Sequence, residues 1–238
     1  MPKVAIVAAL EREVRPLIQR WRAVEKDHGK YRFRFFESDH AVVVCAGIGA
    51  EAARRAAEAV IALYAPEVVY SAGFAGALEP ELKAGELVLP RWVVNASDGS
   101  RVEMHDGAGV LVSFETIASP AQKLSLRESF AAQAVDMEAA AVARAAEARE
   151  TRFGAVKAIS DELGFVLPPM DRFIDSQGRF SEWRFVAHIA VRPWLWRRVL
   201  QLARNTRRAS RTLCQWLGRL DMSATRNLAS VGEGGKGR

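Results

Sequence analysis

Three carboxylates, Glu13, Glu138 and Asp161, stand where a fold could direct them toward one reaction centre. Asp161 directly follows the apolar run FGAVKAIS, and in open α/β sheets ligands bind at the carboxyl ends of the strands. Glu13 and Glu138 each fall in the first turn of a predicted helix. The helix dipole favours acids there, and Asp161 could cap the next segment, so each carboxylate alone also has a purely structural interpretation.

The elements around these carboxylates alternate between apolar runs and helical patterns. The apolar runs are VAIVAAL, YRFRFF, AVVVCAG, VVYSAG, ELVLPRWVV, VLVSF and FGAVKAIS, and helical patterns cover residues 12–21, 50–63 and 137–148. Several runs are apolar on successive residues, as expected for strands that helices cover on both faces. YRFRFF alternates instead, so we expect it nearer an edge of the sheet. This alternation predicts an α/β fold.

Composition narrows the class of protein. The 238 residues, half of them hydrophobic, suffice for one sizeable core. The run VAIVAAL is too short to span a bilayer, which takes about 20 apolar residues. Cys45 and Cys214 have no metal-binding spacing and cannot build a disulfide framework, which favours a reducing compartment. We therefore predict a cytoplasmic location.

The net charge of +6 is concentrated near the C-terminus, where residues 192–219 contain eight arginines and no acidic residue. The rest of the chain is slightly acidic, which argues against a nucleic-acid groove across the whole protein. We predict a basic amphipathic helix over residues 191–219, because its apolar residues and most of its arginines fall on opposite faces. It would either pack on the body or lie on an anionic membrane, with RNA as a third partner. Residues 220–238 are predicted to be disordered.

The strings AALEREV, AGIGAEAA, SAGFAGAL, AVDMEAAAVA and KAISD occur in this order up to Asp161. In this combination the chain resembles the purine nucleoside phosphorylase and nucleosidase superfamily, particularly the methylthioadenosine/S-adenosylhomocysteine nucleosidases. The DME and ISD elements are the specific part. The resemblance implies a single domain over residues 1–190 with a central mixed β-sheet flanked by helices. A dinucleotide-binding fingerprint, the competing interpretation of AGIGAEAA, is weak because its third glycine position is Ala52.

The resemblance also implies roles for these residues in breaking the bond between a purine base and its ribose. Asp161, the aspartate of ISD, would protonate or hydrogen-bond N7 of the purine, with Ser160 orienting it. An ordinary aspartate is ionised at neutral pH, so this role requires desolvation or proton sharing with the bound base. Glu138 would accept hydrogen bonds from the 2′ and 3′ hydroxyls of the ribose, and Met137 would pack against the sugar.

Glu13 matches the glutamate that holds and activates the attacking water in the nucleosidase branch. A carboxylate at this place would repel phosphate, so it favours hydrolysis over phosphorolysis. Phe74 stands where the nucleosidases usually have serine, and the segment SPAQKLSLRESFAAQ also differs from theirs. The resemblance also implies substrate contacts by Gly47, Gly73, Phe74, Ala75, Thr116 and Ile117. The two glycines also fit plain turns.

The end of the chain, together with SPAQKLSLR, is similar to the hopanoid-associated branch of the superfamily, whose members are implicated in removing adenine from adenosylhopane. We therefore predict a homodimeric nucleosidase for a 5′-substituted adenosine or an adenosyl-lipid, with no metal, organic cofactor or nucleic-acid partner. A membrane surface contacted by residues 192–219 would suit a lipid substrate. The alternatives are a phosphorylase, and a non-catalytic module that binds membrane or RNA through the basic tail.

Overall fold

A computed structural model of the chain describes residues 2–232 except 105, 169, 174, 176, 177 and 179, and leaves the side chains of 171, 182 and 221–232 undescribed. Its strands are β1 (Val4–Ala8), β2 (Arg22–His28), β3 (Tyr31–Glu37), β4 (Ala41–Cys45), β5 (Val68–Ala77), β6 (Leu87–Val88), β7 (Trp92–Asn95), β8 (Arg101–Glu103), β9 (Val110–Ser113), β10 (Ala134–Asp136) and β11 (Arg152–Asp161). Its helices are α1 (Glu11–Ile18), α2 (Ala50–Tyr64), α3 (Pro120–Phe130), α4 (Ala139–Glu147), α5 (Glu182–Ala190) and α6 (Pro193–Gly232), with a short 3-10 helix at Asp171–Phe173.

The strands form one mixed sheet in the order β2-β3-β4-β1-β5-β10-β9-β7-β8. β11 also pairs with β5, and β6 pairs with β11. β1, β4, β5 and β11 run parallel to their neighbours in the centre, whereas β10 is antiparallel to β5. The α/β fold with a central mixed sheet is therefore confirmed, and the alternating strand β3 lies one position from the edge strand β2.

Helices cover the central strands on both faces, as their unbroken apolar sequences predict. In β1, Ala5 and Val7 pack in one core cluster with α2, while Val4, Ile6 and Ala8 pack in another with α1 and α6. Small side chains allow α2 and α4 to pack closely: α2 buries Ala53, Ala56, Ala57 and Ala59, and α4 buries Ala139, Ala143, Ala145 and Ala146. The core thus lies on both sides of the sheet, with α1 and α4 near the ends of its central strands.

Some elements differ from the sequence prediction. The run ELVLPRWVV forms two short strands, β6 and β7, because Pro90 lacks the backbone N–H that a continuous ladder needs. The helix predicted over residues 137–148 begins at Ala139, which leaves Glu138 as its N-cap residue. The strand β2 and the short strands β8 and β10 were not predicted; β2 is mostly polar, so its sequence carries little apolar signal.

The predicted C-terminal helix is present as α6, which packs against the body. Ala209, Leu213 and Leu217 are fully buried in the same core cluster as β1 and α1. α6 continues past the predicted boundary at residue 219 as far as Gly232, and residues 233–238 of the predicted disordered tail lie outside the described residues. Within the described part of the chain, no helix is long and apolar enough to cross a membrane.

Candidate active site

Asp161 lies at the carboxyl end of β11, beside an irregularity in the strand. The register of β11 against β5 shifts between Ile159 and Asp161, so Ser160 is the extra residue and Asp161 lies opposite Gly76. Bulges of this kind redirect side chains. Ser160 Oγ donates a hydrogen bond of 2.6 Å to Asp161 Oδ1. A Cβ on Gly76 would lie only 3.0 Å from Asp161 Oδ2, so the absence of a side chain there makes room for the carboxylate.

A buried lysine holds the second oxygen of this carboxylate. Lys123 Nζ, on α3, lies 2.5 Å from Asp161 Oδ2 and donates to the carbonyl oxygen of Glu162 at 2.9 Å. The side chains of the pair are only 1% and 6% exposed. Ser119 caps the N-terminus of α3 by accepting from the N–H of Gln122 and so helps to fix the lysine. Because a buried charge without a partner is very costly, each member of this ion pair requires the other.

Glu138 is reached by the glycine-containing loop that follows β4. Its Oε1 accepts a 2.9 Å hydrogen bond from the N–H of Gly49, and its Oε2 lies 3.3 Å from the backbone N of Met137. Gly49 has φ +98°, a conformation that side chains rarely adopt, so glycine is required for this approach. Burial raises the pKa of Glu138, while the positive charge of Lys157 opposes the shift.

A second buried ion pair lies close to Glu138. Lys157 Nζ, in the middle of β11, is 2.7 Å from Asp136 Oδ2, and both side chains are almost fully buried. Asp136 Oδ1 accepts from Ser113 Oγ at 2.6 Å, which ties the pair to β9. Burial lowers the pKa of Lys157, but attraction to Asp136 and then Glu138 outweighs this and the pKa is raised overall. The lysine therefore provides a fixed positive charge beneath the site.

Glu13 lies in the first turn of α1, as predicted, and is only 5% exposed. Its Oε2 lies 3.4 Å from the backbone N of Leu10, at the weak limit of a hydrogen bond. Burial, followed by repulsion from Glu138, raises the pKa of Glu13 to about 7, with Lys157 acting against the shift. A carboxylate in this condition is half protonated near neutral pH, which suits a general base.

One cavity of about 280 Å³ brings most of these side chains together. Nine of the eleven predicted site residues line it: Glu13, Phe74, Ala75, Thr116, Ile117, Met137, Glu138, Ser160 and Asp161. Gly47 and Gly73 do not. The N–H of Gly47 instead donates to Ala9 O at 2.9 Å, and a Cβ on Gly73 would lie 2.8 Å from Glu13 Oε2. Gly47 thus joins two loops, and Gly73 leaves space for a carboxylate rather than for substrate.

The structure adds residues that the sequence analysis missed. Arg12, Lys123 and Asp136 line the cavity, and Lys157 lies close enough to influence the titration of Glu13. One signal was available, because a lysine inside the apolar run FGAVKAIS has to be buried and therefore paired. The cavity also has an apolar wall, formed by Leu167, Met170, Phe185, Val199, Leu202 and Ala203.

The described residues hold no cluster of three or more histidine, cysteine or acidic side chains arranged to bind a metal ion. Lys157 and Lys123 occupy the places beside Asp136 and Asp161 that a cation would need. Lysine ammonium groups thus supply the positive charge at this site.

Comparison with known proteins gives consistent matches. Residues 3–121 and 99–182 match the family model described as the phosphorylase superfamily. An aminodeoxyfutalosine nucleosidase from Campylobacter jejuni is 24% identical over 200 residues, covering 69% of this chain and 87% of that protein. A methylthioadenosine/S-adenosylhomocysteine nucleosidase from Colwellia psychrerythraea, solved with adenine, has a TM-score of 0.60 at 24% identity, covering 68% of this chain and 83% of that one. A futalosine hydrolase from Helicobacter pylori has a TM-score of 0.67 at 18% identity, covering 91% and 96%.

Proposed function

Because the chain belongs to the phosphorylase superfamily, we propose that it hydrolyses the N-glycosidic bond of a 5′-substituted adenosine and releases adenine. The membership itself confirms the superfamily predicted from the sequence motifs. The observation that carries the proposal is the arrangement of Glu13, Glu138 and Asp161 around one cavity. The names of the relatives, nucleosidases for methylthioadenosine, S-adenosylhomocysteine and aminodeoxyfutalosine, support the same reaction.

Asp161 is the proposed contact of the purine base. Cleavage leaves negative charge on the departing purine, and a proton held at N7 makes the base a neutral leaving group. Asp161 receives hydrogen bonds from Ser160 and Lys123 on its two oxygens, which fix its orientation. Thr116 and Ile117 line the same cavity and are the proposed contacts of the base.

Glu138 is assigned to the ribose. One of its oxygens already accepts from the N–H of Gly49, and among the described residues the other has only the longer contact with the backbone N of Met137. The second oxygen can accept from the ribose hydroxyls. The negative charge of Glu138 also attracts the positive charge that develops on the ribose ring, and this attraction stabilises the transition state.

Glu13 is assigned to the water. With its pKa raised to about 7, it takes a proton from water more readily than an ordinary glutamate. Phosphate would find few free cationic groups among the described residues of this site. Lys123 and Lys157 are each paired with a buried carboxylate. The guanidinium of Arg12 lies over the ring of Phe180, 5.1 Å from its centroid. Negative charge on Glu13 and Glu138 would further repel phosphate. Water is therefore the proposed acceptor.

The apolar wall of the cavity indicates the 5′ substituent. Phe185, Val199, Leu202 and Ala203 offer it no charged group, so an apolar substituent fits better than a charged one. The proposed substrate is accordingly an adenosyl-lipid of the adenosylhopane type, as the similarity to the hopanoid-associated branch implies. The cytoplasmic location, peripheral membrane contact and homodimeric state belong to the same proposal.

The test is release of adenine in phosphate-free buffer. Adenosine, methylthioadenosine, S-adenosylhomocysteine and an adenosyl-lipid would be supplied separately, with and without phosphate, and both adenine and the sugar product measured. We expect adenine release that does not require phosphate and is fastest for the adenosyl-lipid. The sugar product should be the 5-substituted ribose with a free anomeric hydroxyl. Strict dependence on phosphate with formation of a ribose 1-phosphate would identify a phosphorylase instead, and no turnover of any of the four would overturn the nucleosidase assignment.

A further inference from the structure

The corner between α5 and α6 differs from the rest of the described surface. Of eight large hydrophobic side chains that are exposed, six lie within residues 183–200. Their exposed fractions range from 50% to 75%. They are Trp183, Val186, Val191, Trp194, Trp196 and Leu200. Single exposed apolar residues are ordinary, but this concentration in one short segment marks an interaction surface.

The corner is rigidly built. On the inner side of α5, Phe185 packs against Phe173 with 5.5 Å between ring centroids, and Ile189 is buried. Trp196 Nε1, in the first turn of α6, donates to the carbonyl oxygen of Ile189 at 2.9 Å. Arg192 Nη1 donates to the carbonyl oxygen of His188 at 2.8 Å. The exposed side chains are therefore presented on a fixed scaffold.

Arginines surround these apolar side chains. Residues 183–220 contain nine arginines and no aspartate or glutamate. Arg184, Arg197 and Arg198 are exposed and next to the tryptophans in sequence. Tryptophan is favoured at the boundary between lipid tails and headgroups, and arginine can bury its aliphatic stem there while its guanidinium binds phosphate. This combination matches the surface of an anionic bilayer.

Two other partners fit less well. A second copy of this chain that docked through the same surface would bring arginines against arginines with no acid in the segment to neutralise them. RNA would satisfy the charge, but Val186, Val191 and Leu200 have no flat face on which a base could stack. Only a lipid surface uses both the charged and the aliphatic side chains.

We propose that the α5–α6 corner docks on a bilayer containing anionic phospholipid, with its tryptophans and aliphatic side chains among the headgroups. The proposal deepens the peripheral membrane contact of the proposed function by naming the docking surface and the class of lipid, and vesicle binding tests it separately from catalysis. The same helices contribute Phe185, Val199 and Leu202 to the apolar wall of the cavity. Docking would therefore bring lipid within one helix thickness of the active site.

The experiment measures binding of the full chain to vesicles of phosphatidylcholine alone or mixed with phosphatidylglycerol, by flotation and tryptophan fluorescence. We expect binding to the mixed vesicles only, with a blue shift of the fluorescence. Arg197→Glu with Arg198→Glu should weaken binding more than tenfold, since each basic residue contributes about fivefold. Trp183→Ser with Trp194→Ser should weaken it on the order of tenfold.

Matched controls make the same chemical changes elsewhere. Arg101→Glu with Arg149→Glu alters the net charge equally, and Leu124→Ser removes an exposed apolar side chain on α3; neither should affect binding. Equal losses in test and control variants, absence of binding to the mixed vesicles, or stronger binding to RNA than to vesicles would overturn the proposal. Adenine release from a soluble nucleoside is measured in parallel, so failure of the proposed function would be recognised separately.

Discussion

At the scale of single residues, Glu13 is the proposed base that activates the attacking water. Glu13→Gln keeps the shape of the side chain but removes the base, so we expect kcat to fall by about 10²- to 10⁴-fold with little change in binding of adenine. Because the pKa of Glu13 is raised to about 7 and the ionised form is active, wild-type activity should be present above pH 7 and be lost as the pH falls through that value. Adenine release measured across pH tests both expectations, and an unchanged rate in the variant would remove Glu13 from the mechanism.

The same side chain should make stability depend on pH. Folded Glu13 keeps a proton that the unfolded chain releases, since its pKa rises from 4.5 to about 7 on folding. Its contribution to stability is therefore full below pH 4.5 and is lost as the pH rises through 7. Relative to wild type, Glu13→Gln should gain roughly 3 kcal/mol in free energy of unfolding between pH 4 and pH 8. Urea unfolding of both proteins measures this difference; a difference that stays constant with pH would contradict it.

The Lys123–Asp161 pair should be strongly coupled. Lys123→Met leaves the Asp161 carboxylate buried without a partner, at a cost of about 3–5 kcal/mol in stability. Asp161→Asn in the same chain removes the stranded charge, so the double variant should be less destabilised than the sum of the single variants by about 1–3 kcal/mol while remaining inactive. The exposed pair Arg91–Glu103 is the control, with an expected coupling below about 1 kcal/mol. Equal coupling in the two pairs would show that burial does not strengthen the first.

The residues that sequence reasoning found and missed differ in the signal they carry. Asp161 and Glu138 stand in the specific strings ISD and DME, and the structure places both on the cavity. Lys123 lies in a segment that departs from the family pattern, and nothing local indicates that its helix faces Asp161 across 38 positions of chain. Such a partner is fixed by tertiary packing, which the pattern of one segment does not contain.

At the scale of elements, β5 shapes the site because Gly73 carries no side chain. A Cβ on Gly73 would lie 2.8 Å from Glu13 Oε2, so Gly73→Ala should displace that carboxylate. We expect kcat to fall at least tenfold, since a misplacement of about 1 Å can cost on the order of 100-fold. Gly164→Ala is the matched control, because its added Cβ meets open space. Equal activity of the two variants and wild type would show that Glu13 does not need this space.

The strands with long apolar runs could be predicted from the sequence, whereas the polar or very short strands could not. Runs such as VAIVAAL and FGAVKAIS became central strands because helices cover both of their faces. The exposed strand β2 and the brief β10 bury too few side chains in a regular pattern to be recognised. The bulge at Ser160 is likewise invisible in the sequence, because it arises from the register between β11 and β5. It is nevertheless this bulge that sets the direction of Asp161.

At the scale of the whole molecule, α6 belongs to the core as well as to the surface. Packing on the body was one of the two main alternatives predicted for this helix, and α6 shares a core cluster with β1 and with α1, the helix that carries Glu13. Ser210 Oγ lies 3.4 Å from the carbonyl oxygen of Arg12, and Cys214 Sγ lies 3.6 Å from that of Glu13. Deleting the basic segment would consequently disturb the active site, so point substitutions are the appropriate test of its surface.

Two leucines of α6 separate these roles. Leu213 is fully buried, so Leu213→Ala should cost about 2–5 kcal/mol in free energy of unfolding, whereas Leu200→Ala, at a position 59% exposed, should change it by no more than about 0.5 kcal/mol. Both substitutions have the same effect on helix propensity, so the difference isolates packing. Because α6 and the body share one core, Leu213→Ala should also lower the urea midpoint at which adenine release is lost. An unchanged midpoint for activity would mean that α6 unfolds independently of the site it is packed against.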